Sequence, residues 1–181
     1  MAYLMQVMGL TREVAKALII DSAAGWDYRA SPRRGYGRVP VRIEDVVQSC
    51  DDEIKFTLTG TSEAYATYNY GIPVPIAKKK HPYIARVTLC YFPQCDRRQG
   101  VDYTSAEMDL HFGRINDKGT IQPLDNNRQG EEGFMTTEEV ARKNYRKWDN
   151  VKHIGEEPKE NGRERKAYST GMWGIKIRAV G

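Results

Sequence analysis

The chain has 181 residues, with 28 basic and 24 acidic side chains, a formal net charge of +4 at neutral pH and a hydrophobic fraction of 40%. That length suits one domain, or one domain with an appended segment. A charge so nearly balanced leaves no footprint for nucleic acid, and no apolar run approaches the ~18 residues that a membrane-spanning helix needs. The mean hydropathy of −0.66, with 11 tyrosines against 4 phenylalanines, indicates a soluble chain with extensive polar loops.

The first eight residues, Met1-Ala2-Tyr3-Leu4-Met5-Gln6-Val7-Met8, carry neither a basic leader nor a small-residue cleavage site. They read as the end of a helix. Residues 11–24 form the first strong element. Thr11 is a suitable N-cap, Glu13 sits in the first turn, and Val14, Ala15, Leu18 and Ile19 keep one apolar face at helical spacing. Gly25 can end this helix in the left-handed conformation. Residues 27–35 form a basic, proline-containing loop leading to Gly35-Tyr36-Gly37, and Ile43, Val46 and Val47 predict a second short helix.

From Glu53 the period changes to two. Ile54, Phe56 and Leu58 alternate with Lys55, Thr57 and Thr59, the pattern of a half-buried strand. Further alternating runs cover residues 64–72, 83–91, 108–115 and 173–179, punctuated by Pro73, Pro75, Pro82 and Pro93 at their ends. One helix interrupts them, with a capping box at Thr136 and Glu139 and an apolar stripe of Ala141, Tyr145 and Trp148. Residues 116–135 and 155–166 are polar loops. The expected fold is mainly β, an antiparallel sandwich with a short N-terminal α-helical segment and one or two additional helices.

Two stretches carry a resemblance. Thr11-Arg12-Glu13-Val14-Ala15-Lys16-Ala17-Leu18-Ile19, Ser22-Ala23-Ala24 and Gly35-Tyr36-Gly37 follow one another in an order that resembles the end of a subtilase catalytic domain. The later order runs from Arg86-Val87-Thr88-Leu89-Cys90-Tyr91-Phe92-Pro93 to Glu107-Met108-Asp109-Leu110-His111-Phe112, Asp149-Asn150-Val151 and Trp173-Gly174-Ile175-Lys176-Ile177. It is similar to the jelly-roll sandwich appended to many subtilisin-like serine proteases, with Met-Asp-Leu and Asp-Asn-Val as departures of one residue each. The resemblance implies a helical remnant of the catalytic domain at 1–48 and a C-terminal jelly-roll-like sandwich at 49–181. It also implies a bacterial, cytoplasmic setting, in a subgroup where the sandwich directly follows the protease core.

The family's catalytic aspartate, histidine and serine all precede the helix at Thr11, so the resemblance implies no catalytic residue in this chain. Gly60-Thr61-Ser62-Glu63-Ala64 imitates the family's nucleophile motif, but Glu63 replaces an apolar residue, no proline follows, and the next residues alternate like a strand. It reads as a turn. The chain is thus expected to be a non-catalytic accessory domain of a serine endopeptidase, stabilising the catalytic domain or bordering its substrate channel. The rival reading is a free-standing sandwich that binds protein or carbohydrate.

Candidate ligand groups point to no cofactor. His81, His111 and His153 show no metal-ligand spacing and none adjoins a cysteine. Cys50, Cys90 and Cys95 form no disulfide framework, which favours reduced thiols and a cytoplasmic chain. Asp96, Asp102, Glu107 and Asp109 gather oxygen atoms where the jelly rolls of secreted subtilases sometimes hold calcium, but Arg97 and Arg98 lie among them. The basic clusters at Arg33-Arg34, Lys78-Lys79-Lys80 and Arg97-Arg98 read as solvated loops. Tyr65, Tyr68, Tyr70, Tyr83, Tyr91 and Tyr103 are candidates for a peptide-binding face. The expected partners are the catalytic domain of the parent protease and a second copy of the chain through the N-terminal helix, with its stripe of Val14, Leu18 and Ile19; nucleic acid and membrane are not expected.

Overall fold

The computed structural model describes residues 1–23, 37–51, 53–73, 85–98, 106–123, 150–156, 159–160, 163–164 and 170–180. The expected helix at Thr136, the turn at Gly35-Tyr36, the clusters at Arg33 and Lys78, and His81, Tyr83, Asp102 and Tyr103 lie outside them.

Three helices come first: α1 (Ala2–Gln6), α2 (Arg12–Asp21) and α3 (Ile43–Val47). The Thr11 side chain accepts a hydrogen bond from the Val14 amide at 3.4 Å, so α2 begins where its N-cap predicts. The apolar stripe of α2 closes a small core. Leu4, Ala15 and Val46 are buried, one from each helix, and Leu10, Leu18, Ile19, Ile43 and Val47 pack around them. Two of the three stripe residues, Leu18 and Ile19, are therefore covered by neighbouring helices rather than left open.

The strands among the described residues pair antiparallel. In chain order the strands are β1 (Thr67–Pro73), β2 (Ala85–Cys90), β3 (Glu107–Ile115), β4 (Ile121–Pro123), β5 (Val151–Glu156), β6 (Lys159–Glu160), β7 (Arg163–Glu164) and β8 (Met172–Val180). A four-stranded sheet has the order β1-β8-β3-β4; β2 pairs with β5, and β6 with β7. The strands at β1, β2, β3 and β8 fall within a few residues of the alternating runs. β4 and the β6-β7 ladder occupy stretches expected to be loops, because such short strands hold too few residues to show a period.

Period-two alternation sorts the side chains of the large sheet. Leu110 and Phe112 of β3 share a face with Trp173 and Ile175 of β8, and all four are buried. The Phe112 and Trp173 rings stack with centroids 4.8 Å apart. Ala85, Val87 and Leu89 of β2 pack against this cluster, together with Ile72 and Ile177, so the β2-β5 ladder lies over the large sheet and the core sits between them. Burial of each large side chain here contributes roughly 1.5–3 kcal/mol.

The opposite face of the large sheet has a row without side chains. Gly71, Gly174 and Gly113 stand opposite one another across β1, β8 and β3. A Cβ on Gly174 would lie 2.5 Å from Ile121 Cγ1 and 3.1 Å from Ile115 Cγ1, so glycine there lets two isoleucines lie flat on the central strand.

One expected strand is absent. Residues 53–60 do not join a ladder among the described residues, although their alternation is the clearest in the N-terminal half. Lys55 accounts for the difference. Its amide donates to Ser49 Oγ at 3.1 Å, and its ammonium donates to the Asp45, Val46 and Gln48 carbonyls at 3.5, 3.4 and 3.2 Å, capping the C-terminal end of α3. The segment is anchored to a helix, and alternation specifies a strand only where a partner edge is within reach.

Replacing Gly174 with alanine is expected to destabilise the chain by about 1–3 kcal/mol through overpacking against Ile121 and Ile115. A lowered urea midpoint with an unchanged transition slope is the outcome to measure.

Candidate functional site

Strand β2 has two working faces. Ala85, Val87 and Leu89 point into the core, so Arg86, Thr88 and Cys90 point the other way, toward α2. The register places His153 of β5 opposite Thr88 and Val151 opposite Cys90. The result is a polar layer between a helix and a ladder, in which a hydroxyl, an imidazole and a carboxylate meet.

Thr88 is its centre. Its hydroxyl donates to Asp21 Oδ1 at 3.0 Å and lies 2.5 Å from His153 Nδ1. A hydroxyl has one proton. With that proton directed at the Asp21 carboxylate, the second contact requires His153 to donate from Nδ1. His153 is buried, and burial first, with the Arg86 guanidinium second, pushes its pKa down from 6.5 to about 3. A neutral Nδ1-protonated ring fits these constraints.

Arg86 extends the layer. Its guanidinium sits 4.0 Å from Asp21 Oδ2 and 3.5 Å from Glu53 Oε1, and Glu53 in turn lies 3.7 Å from Lys55. Midway along α2, Lys16 donates to Asn150 Oδ1 at 3.0 Å, just before β5. Arg12 covers the Phe92 ring with its guanidinium 3.8 Å from the centroid, and Lys16 approaches the same ring at 5.2 Å. Helix α2 is thus fastened to β2 and its flanks along its whole length.

The chemistry of this layer is that of a clasp. A general base must take the proton of the nucleophile, whereas His153 Nδ1 is the donor in its contact with Thr88. Cys90 also lies here, half-buried. Burial pushes its thiol up to about 11, with Lys16 acting in the opposite direction and Glu13 adding to the rise. It is held as a thiol, which is a poor nucleophile.

The other residues singled out in the sequence are dispersed. Ser62 is exposed in an extended loop, its hydroxyl donating to the Glu63 carbonyl at 3.3 Å. His111 is half-buried on β3; burial lowers its pKa, Asp109 opposes that, and Lys176, Arg178 and Lys152 add to it. Asp109 takes the Arg178 guanidinium and lies 3.9 Å from the buried ammonium of Lys152. Asp96 Oδ1 accepts the Arg98 amide at 2.9 Å. Among the described residues no group of three or more His, Cys, Asp or Glu side chains is arranged to hold a metal. Tyr65 and Tyr70 are exposed, Tyr68 is half-buried with its hydroxyl accepting the Glu63 amide, and Tyr91 is buried with its hydroxyl accepting the Met108 amide. Tyr68 and Tyr70 lie on one side of β1, and Tyr83 and Tyr103 lie outside the described residues. Asp21 carried no sequence signal beyond its place at the end of a helix, and Thr88 read as an ordinary strand residue.

Two measurements probe the clasp. His153 binds a proton in the unfolded chain below about pH 6.5 and in the folded chain only below about pH 3, so stability falls as pH drops through that window. The cost at pH 5 is about 2 kcal/mol, and His153→Asn should flatten the profile of unfolding free energy between pH 7 and 5. Alkylation gives the second readout. Cys50, Cys90 and Cys95 are all free, and Cys50 and Cys95 are exposed. Mass spectrometry should find two of them modified quickly in the folded chain and Cys90 only on denaturation.

Comparison with protein-family models, with curated proteins and with solved structures finds no match to this chain.

Proposed function

We propose that the chain is a non-catalytic accessory domain of a subtilisin-like serine endopeptidase, in which a helical segment at 1–48 belongs to the catalytic domain and a jelly-roll-like sandwich at 49–181 supports it. The observation that carries this reading is the outer surface of α1. Met1, Tyr3, Met5, Val7 and Met8 are exposed, within one short stretch, while Leu4 on the inner side of the same helix is fully buried. The clasp between α2 and β2 holds that surface in place. An apolar face presented on a fixed support fits a helix that packs against a larger body. The catalytic domain would be that body.

Three free thiols support a reducing, cytoplasmic setting. The mainly antiparallel strands, with two ladders enclosing one core, support a sandwich.

Two results test the reading. The coding sequence upstream of Met1 should continue in frame into a serine protease with its aspartate, histidine and serine in that order; an in-frame stop directly before Met1 would sink it. The chain by itself should neither hydrolyse casein nor react with a fluorophosphonate probe. Stoichiometric labelling of Ser62 is the contrary outcome.

A further inference from the structure

The anchored segment after α3 exposes apolar side chains that neither core uses. Ile54, Phe56 and Leu58 are 74%, 50% and 55% exposed, and the residues from Phe56 to Tyr65 are all exposed. From Phe56 to Ser62 there is no charged side chain. Among the described residues, no main-chain hydrogen bond is made by Phe56, Thr57, Leu58, Thr59 or Gly60. The segment combines an alternating apolar face, a neutral run and an open row of donors and acceptors, which together ask for a strand as partner. No described strand of its own chain pairs with it, and Lys55 and Ser49 hold it against α3.

The sequence of the segment says which strand fits. Set antiparallel to itself about Thr57, it places Phe56 opposite Leu58 of the second copy and Leu58 opposite Phe56. Lys55 then faces Thr59, Ile54 faces Gly60, and Glu53 faces Thr61. No like charges meet, and the apolar residues of both copies share one face. In one of the two hydrogen-bonding phases of this register Thr57 is a non-bonded pair, and the bonds run between Phe56 and Leu58 and between Ile54 and Gly60. The Lys55 amide is not needed in that phase, which agrees with its bond to Ser49. We propose that residues 54–60 form a two-fold symmetric, antiparallel strand pair with a second copy of this chain. The contact is isologous and closes at two copies. It is separate from the α1 surface and stands whether or not that surface meets a catalytic domain.

The test uses the full chain. Light scattering across a dilution series should give a reversible dimer, and Phe56→Lys combined with Leu58→Lys should weaken it by on the order of 100-fold, because lysines then face each other across the axis. Circular dichroism should not change, nor should the urea midpoint at dilutions where both proteins are monomeric, since neither side chain is in a core. Tyr3→Glu with Val7→Glu, on the α1 surface, should leave the dimer intact. In a Cys50→Ser, Cys95→Ser background, Thr57→Cys should cross-link under mild oxidation as a symmetric dimer, because a non-bonded antiparallel pair brings Cα atoms to about 4.5 Å. A monomer at every concentration overturns the proposal, as does a dimer that survives the double lysine variant, is lost in the α1 variant, or fails to cross-link through Thr57→Cys.

Discussion

Strand β2 is where the two halves of the molecule meet, and the hydrogen bond from Thr88 to Asp21 is the contact on which their alignment depends. A β-strand sends successive side chains to opposite sides. On β2 the odd positions Ala85, Val87 and Leu89 are apolar and enter the core of the sheets, and the even positions Arg86, Thr88 and Cys90 meet the helix. A helix packed on a sheet usually contributes an apolar stripe to it. Helix α2 directs much of its stripe to α1 and α3 and offers Asp21, Lys16 and Arg12 to the sheet side. Pairing within such a layer matters, since a half-satisfied polar group away from water costs about 1–3 kcal/mol.

The magnitudes favour Thr88 over the ion pairs as the fixing element. The Arg86 pairs with Asp21 and Glu53 are long and partly solvated, and pairs of that kind contribute about 0–1 kcal/mol each. A hydroxyl bonded to a carboxylate and an imidazole, beside a buried ring, has few alternative arrangements. Its donors and acceptors have one consistent assignment, which is how a polar layer selects a single docking angle.

Much of the β-structure was legible from period two, because β1, β3 and β8 each keep a buried side and a more open one. Trp173 and Ile175 opposite Leu110 and Phe112 form a core that alternation alone anticipates. Helix α2 was legible from Thr11 and the spacing of Ala15, Leu18 and Ile19. The clasp was not. Asp21, Thr88 and His153 are separated by 67 and 65 residues along the chain, and nothing in their local sequence encodes the meeting. Residues 53–60 mislead for a related reason. Alternation reports the capacity to form a strand, whereas the capture of Lys55 by the end of α3 is a long side chain finding carbonyls, which leaves no periodic trace.

That capture connects the clasp to the exposed segment. Arg86 bridges Asp21 and Glu53, Glu53 pairs with Lys55, and Lys55 caps α3, whose Val46 is buried against Leu4 and Ala15. The chain of contacts returns to α2 and forms a closed loop. Its individual ion pairs are weak, so the loop owes its rigidity to the hydrogen bonds at either end: Thr88 to Asp21 at one, and Lys55 to the α3 carbonyls at the other. Asp21 and Lys55 are thus joined through Arg86 and Glu53, while the α3 carbonyls themselves fix the direction in which Ile54, Phe56 and Leu58 leave the surface. The orientation of the helical unit on the sheet and the exposure of residues 54–58 share one set of contacts.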